Sequence, residues 1–151
     1  MPTELNVIDR VEPDLTSIFD ETSDWIFASI ETCKREKLFP NMLAYCENQA
    51  TLALIVKRSA TGQDFALNEA GLNYLLAALD NGGLKDGSPV RHAFVVQADV
   101  DPQATSRQRP LKVVKHSTAH ETREHLKGIS PYPGNFSGPY WWLSPEDEGR
   151  F

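Results

Sequence analysis

Between Asn68 and Gly83 the sequence spells out one helix almost completely, with a short apolar run on either side of it. Asn68 can cap a helix starting at Glu69, because its side-chain oxygen can accept from an unpaired first-turn N–H. Leu72, Leu75, Leu76 and Leu79 keep the three-and-four spacing of a single helical face, and Asn81-Gly82-Gly83 provides a stop. Upstream, Thr51–Arg58 (Leu52, Ala53, Leu54, Ile55, Val56, Lys57) is short, apolar and β-branched toward its end. It reads as a strand covered on both faces, with Ala60–Gln63 as the turn after it. Downstream, His92–Gln97, built on Ala93, Phe94, Val95 and Val96, reads as a second strand. Strand, helix and strand in that order form a parallel crossover when the two strands are neighbours. A chain holding this unit is committed to a sheet with helices packed against it.

The flanking regions predict how the unit is extended. From Pro13, the positions Leu15, Ile18, Phe19, Thr22, Ile26, Ile30 and Cys33 keep helical spacing. They predict an N-terminal helical region that closes near residue 38, ahead of Pro40 and Asn41. The polar run Asp20–Asp24 divides it into two helices, with Thr22 or Ser23 capping the second. Leu111–Lys115, with the Val113-Val114 pair, predicts a third strand that returns as an antiparallel hairpin across the polar stretch 99–110. Thr118 and Glu121 form a T-x-x-E capping box for a short helix ending at Gly128. The expected fold is therefore α+β. It is a small mixed sheet of about three or more strands with helices packed on it, an N-terminal helical region and an aromatic C-terminal tail. A length of 151 residues suits one domain, placed at 13–145 between a flexible arm, 1–12, and a short acidic tail, 146–151.

Composition narrows the class of protein. Apolar runs such as Leu52–Val56 and Tyr140–Leu143 are far too short to span a bilayer, so no membrane partner is expected. Glu4 and Asp9 break the basic-then-apolar plan of a signal peptide. Two cysteines, Cys33 and Cys46, make a poor disulfide framework, and a reducing, cytoplasmic location is the simpler expectation. Cys33 falls on the apolar stripe and reads as core. The net charge of −6 is concentrated in residues 1–50, where ten acids face four bases, while the rest of the chain is balanced. An acidic front disfavours non-specific phosphate binding, which depends on many Lys and Arg contacts. Within the balanced part, 107–127 holds Arg107, Arg109, Lys112, Lys115, Arg123 and Lys127 against Glu121 and Glu124.

Motifs for catalysis are lacking. There is no G-x-S-x-G, no phosphate loop opening a helix, and no cysteine in a nucleophile setting. His116, His120 and His125 are weak candidates for a metal: the first pair has a four-residue spacing, but the capping box starts the helix after His116. No cofactor is expected. Lys57-Arg58-Ser59, ending an apolar strand that is followed by Phe65, a capped helix and another strand, resembles the restriction-endonuclease-like PD-(D/E)XK nuclease core over about residues 50–99. The resemblance matches Lys57 to the family's lysine. It implies metal-assisted phosphodiester chemistry, which needs carboxylates to hold Mg²⁺. Ile55 stands where the family has one of those acids. Glu47 is the only acid between Lys37 and Lys57 to serve as the preceding aspartate.

The tail Tyr132, Phe136, Tyr140, Trp141 and Trp142, interleaved with proline and glycine, is either a wrap over the core or a recognition surface. Together these features point to a binding or accessory module without catalytic activity, whose partner is another protein. Its expected contact surface is the aromatic tail beside the basic residues Arg107, Arg109, Lys112 and Lys115. The alternative is a restriction-endonuclease-like domain that works on nucleic acid through Lys57 and Arg58.

Overall fold

The computed structural model describes residues 14–19, 24–38, 41–57, 65–100, 111–124 and 129–131. In chain order the elements are β1 (Ile26–Phe27), α1 (Ile30–Arg35), β2 (Met42–Cys46), a 3₁₀ turn (Glu47–Gln49), β3 (Thr51–Lys57), β4 (Phe65–Leu67), α2 (Glu69–Asn81), β5 (His92–Val100), β6 (Leu111–Thr118), α3 (Ala119–Glu124) and β7 (Ile129–Pro131). Five strands form one mixed sheet in the order β1-β2-β3-β5-β6, and β4 pairs with β7 separately. Only β3 and β5 run parallel within the large sheet. The fold is α+β, with three helices packed on a five-stranded sheet.

The crossover unit forms as its sequence dictates. Parallel neighbours cannot be joined by a tight turn, and α2 supplies the crossover between β3 and β5. Asn68 caps it, its Oδ1 accepting from the N–H of Ala70 at 3.0 Å. Gly82 ends it at φ 70°, a left-handed conformation that favours glycine, while the N–H groups of Gly82 and Gly83 reach back to Leu79 and Ala78. Leu72, Leu75 and Leu76 are buried; Leu79, at the end of the stripe, is half-buried. All of β3 from Thr51 to Val56 is buried, which fits a central strand covered on both faces. The helix lies close to this strand because position 71 is glycine. A methyl group built there would sit 2.8 Å from both Cδ atoms of Leu54.

The N-terminal region departs from its predicted form. Residues 16–19 are a turn, Ile26 and Phe27 form an edge strand against Tyr45 and Ala44, and the helix is confined to Ile30–Arg35. The helical spacing picked out buried side chains but not their conformation: Leu15, Ile18, Phe19 and Cys33 are all buried without sharing a helix. Thr22 and Ser23 lie outside the described residues. The cap of α1 is Ser29, whose Oγ accepts from Thr32 N at 3.1 Å. Strand β2 is an addition to the predicted elements, buried from end to end. The two later strands run further than expected, to Val100 and Thr118. Thr118 caps α3 through the N–H of Glu121 at 3.1 Å. That helix is observed to Glu124.

Directly opposed residues of paired strands share a face, so Phe27, Ala44 and Ala53 lie on one side and Leu43, Leu54 and Val95 on the other. Gly71 of α2 meets Leu54, which places α2 on the second side. Phe19 stacks on Phe27 with ring centroids 6.4 Å apart, so the segment 14–19 covers the first. Trp25 Nε1 donates to the Asp14 carbonyl and ties that segment down. Among the described residues no helix is long and apolar enough to cross a membrane.

Both cysteines are buried and unbridged. Burial pushes the Cys33 thiol up to about 12, against a weaker opposing pull from hydrogen bonding at the Leu43 backbone. The thiolate is the nucleophile, so Cys33 and Cys46 are expected to resist iodoacetamide in the native protein and react fully in denaturant. Mass spectrometry of alkylated peptides reads this out, and rapid native labelling of Cys33 would contradict its placement in the core. The same linkage gives a sign for stability. The unfolded thiol ionises near its ordinary value while the buried one holds its proton, so this contribution is lost as pH rises between about 9 and about 12.

Candidate functional site

Strand β6 is the outer strand of the large sheet, hydrogen-bonded to β5 on one side, and no other described strand pairs with its second side. Its register breaks once. Gln97 faces Lys115 and Ala98 faces Val113, so Val114 is the extra residue of a β-bulge. In a regular strand, side chains three apart point to opposite faces. The bulge cancels that offset and brings Lys112 and Lys115 onto one face, the face of Asp99 and Gln97. Lys112 stands directly across from Asp99, an opposite-charge cross-strand position. Val114 is 49% exposed, a large apolar side chain held out in solvent. Lys112, Lys115 and His116 are exposed as well, and β6 carries no acidic residue.

The far end of β6 is fixed more firmly. Thr122 Oγ1 donates to the Thr118 carbonyl at 2.8 Å and shares a hydrogen bond with Ser117 Oγ, locking α3 against the strand. His116 meets Phe94 edge-on, with centroids 5.8 Å apart and planes at 90°. Beside this end lies a shallow cleft of about 390 Å³, walled by Asp80, Arg91, His92, Phe94, Thr118 and His120. The surface as a whole offers exposed cations, one apolar knob and an outer strand edge.

The other predicted residues are dispersed. Lys57 ends β3, half-buried and in register with Ala98. Ile55, two residues back and on the same face, is fully buried and opposes Met42. Glu47 starts the turn between β2 and β3, at the opposite end of a seven-residue strand. At about 3.3 Å per residue that is about 20 Å from Lys57, too far to share a metal with it. The residue at the Lys57 end of β2 is Asn41, buried, with its Oδ1 occupied by the N–H of Asn68 at 2.7 Å. Among the described residues no group of three or more His, Cys, Asp or Glu is placed to hold a metal. His116 sits on β6 and His120 on α3, both exposed, so they share no helical face.

Arg58, Arg107, Arg109, His125, Tyr132, Phe136, Tyr140, Trp141 and Trp142 lie outside the described residues. Within 111–124 three bases face two acids, with both acids on α3 and two of the bases on β6. Sequence reasoning identified Lys112 and Lys115 but not what aligns them. The Val113-Val114 pair read as part of a third strand, and a bulge leaves no mark that a pair of valines would reveal. Arg91 and Asn41 were also missed, since each sits between elements rather than in a motif. No protein-family model matches this chain, nor does any curated protein or any solved structure.

Proposed function

We propose that this protein is a binding module without catalytic activity, and that its contact surface is the outer edge of β6, where an acidic, extended segment of a partner protein adds as a further strand. The observation that carries this reading is the bulge at Val114, which places Lys112 and Lys115 on one face of a strand that is outermost among the described residues. Backbone hydrogen bonds to the edge supply affinity, the lysines select acidic side chains, and Val114 offers an apolar contact. The same lysines disfavour edge pairing between two copies, which would bring like charges together. This surface includes the described part of the basic stretch, and the aromatic tail adjoins that stretch in sequence.

The test uses a labelled peptide alternating Glu and Val, and a single-stranded oligonucleotide of equal charge, each titrated by fluorescence anisotropy. The peptide is expected to bind, and the double reversal Lys112→Glu/Lys115→Glu to weaken it about tenfold or more, a loss of about 1.4 kcal/mol. Unchanged peptide affinity in the double variant removes the proposal. Tighter binding of the oligonucleotide than of the peptide favours the second reading.

That second reading is a restriction-endonuclease-like domain that holds nucleic acid without cutting it. It is favoured by the parallel β3–α2–β5 unit with Lys57 at its rim. Ile55 and Asn41, near that rim, cannot supply the carboxylates that metal-assisted cleavage requires. The expected result is no Mg²⁺- or Mn²⁺-dependent cleavage of DNA or RNA; cleavage abolished by Lys57→Ala would restore a catalytic role.

A further inference from the structure

A second surface lies on the other side of α2, between that helix and the end of α1. Here a cleft of about 590 Å³ opens, within the range that encloses a small organic molecule. Its wall is apolar: Ala70, Tyr74, Ala77 and Ala78 of α2 face Leu84 of the following loop. One charged group closes it from the α1 side. Glu36, the C-terminal cap of α1, has its backbone N–H bonded to the carbonyls of Lys34 and Thr32 and its side chain only 17% exposed. Its Oε1 accepts from Lys85 Nζ at 2.9 Å and from Arg35 Nε at 3.5 Å. Both cations use the same oxygen. Among the described residues, Oε2 has no partner.

We infer that this cleft is a binding site for a small organic ammonium compound with an apolar body. The ammonium group would sit on Glu36 Oε2 and the body along Ala70, Tyr74 and Ala78. Several observations favour a cation over an anion or a neutral molecule. The only carboxylate in the lining is largely buried, whereas its partner Lys85 has a side chain that is 79% exposed. The hydrogen bond from Lys85 also holds the Glu36 carboxyl below its ordinary range. The C-terminal turn of α2, at Asn81 and Gly82, adds the negative end of a thirteen-residue helix. Tyr74 presents an aromatic wall, a surface that cations favour. Lys85 and Arg35 then compete with the ligand for one carboxylate, which sets the affinity of the wild-type protein low. This site is independent of the β6 edge and stands or falls separately from it.

The test is a titration of the full chain with 2-phenylethylammonium, followed by NMR at the methyl groups of Ala70, Ala77 and Ala78. Its controls are the neutral 2-phenylethanol and the anionic phenylacetate. The ammonium compound is expected to shift these methyls saturably while both controls do not. Glu36→Gln is expected to weaken binding at least tenfold, and Lys85→Ala to tighten it at least threefold by removing a competing charge. Thermal melts of both variants check that each still folds, the Lys85 side chain being 79% exposed. Equal response to phenylethanol, no saturable response to any probe, or unchanged binding in Glu36→Gln would each overturn the assignment.

Discussion

Replacing Leu54 by Ala is expected to destabilise the protein by about 2–5 kcal/mol, through lost transfer energy and the cavity left behind. Leu54 is fully buried in the central strand, opposed by Leu43 and Val95, with its methyl groups against the backbone of α2 at Gly71. For a chain of this length the loss lowers Tm by about 5–15 °C. Gly71→Ala alone is expected to destabilise by about 1–3 kcal/mol, because its methyl would press on Leu54 at 2.8 Å. Combined, the two changes should cost clearly less than their sum, since the alanine methyl occupies part of the space that Leu54 vacates. Thermal and urea melts of the two singles and the double measure this cycle. Strict additivity would mean that the helix and the strand are not in contact at this point.

A comparably large effect is expected where α2 begins. Asn68 ties three segments together by its side chain and its own N–H. Its Oδ1 caps Ala70 N, its Nδ2 donates to the Lys37 carbonyl at 2.6 Å, and its own N–H donates to Asn41 Oδ1 at 2.7 Å. Lys37 is held at φ 58°, a left-handed conformation that the carbonyl contact helps to retain. Asn68→Ala removes a cap worth about 1 kcal/mol and leaves the exposed Lys37 carbonyl to water. Asn41→Ala leaves the Asn68 N–H without its acceptor beside a fully buried site, a penalty of about 1–3 kcal/mol. Each variant should therefore lose about 1–3 kcal/mol in denaturant melts, with no change in peptide affinity at β6. An Asn41 variant that melts normally but binds nucleic acid differently would shift its role from structure to recognition.

These two sites show what the sequence makes legible. α2 could be read residue by residue because cap, stripe and stop are all local, and the resulting face meets the core as expected. The flanking strands β3 and β5 were legible for the same reason: continuous apolar runs between turn residues. β2 was not, because Met42–Cys46 contains no β-branched residue and an apolar run without one does not distinguish strand from helix. Ile26 and Phe27 fell on a helical spacing shared with Leu15, Ile18 and Cys33, yet pairing with Tyr45 and Ala44 determined their conformation. Pairing is a long-range choice, and spacing cannot report it. The candidate site was legible in part. Lys112 and Lys115 stand out as charge, but their alignment on one face depends on the register of β6 against β5. The cleft at Glu36 joins residues far apart in the chain and left no sequence signal at all.

The most direct test of the β6 edge is amide hydrogen exchange along that strand, with and without the alternating Glu and Val peptide at saturation. Strand addition predicts slowed exchange at the outward amides of Leu111–Thr118, with the amides of β2 and β3 unchanged. Protection that appears elsewhere while β6 exchanges as in the free protein would contradict the account.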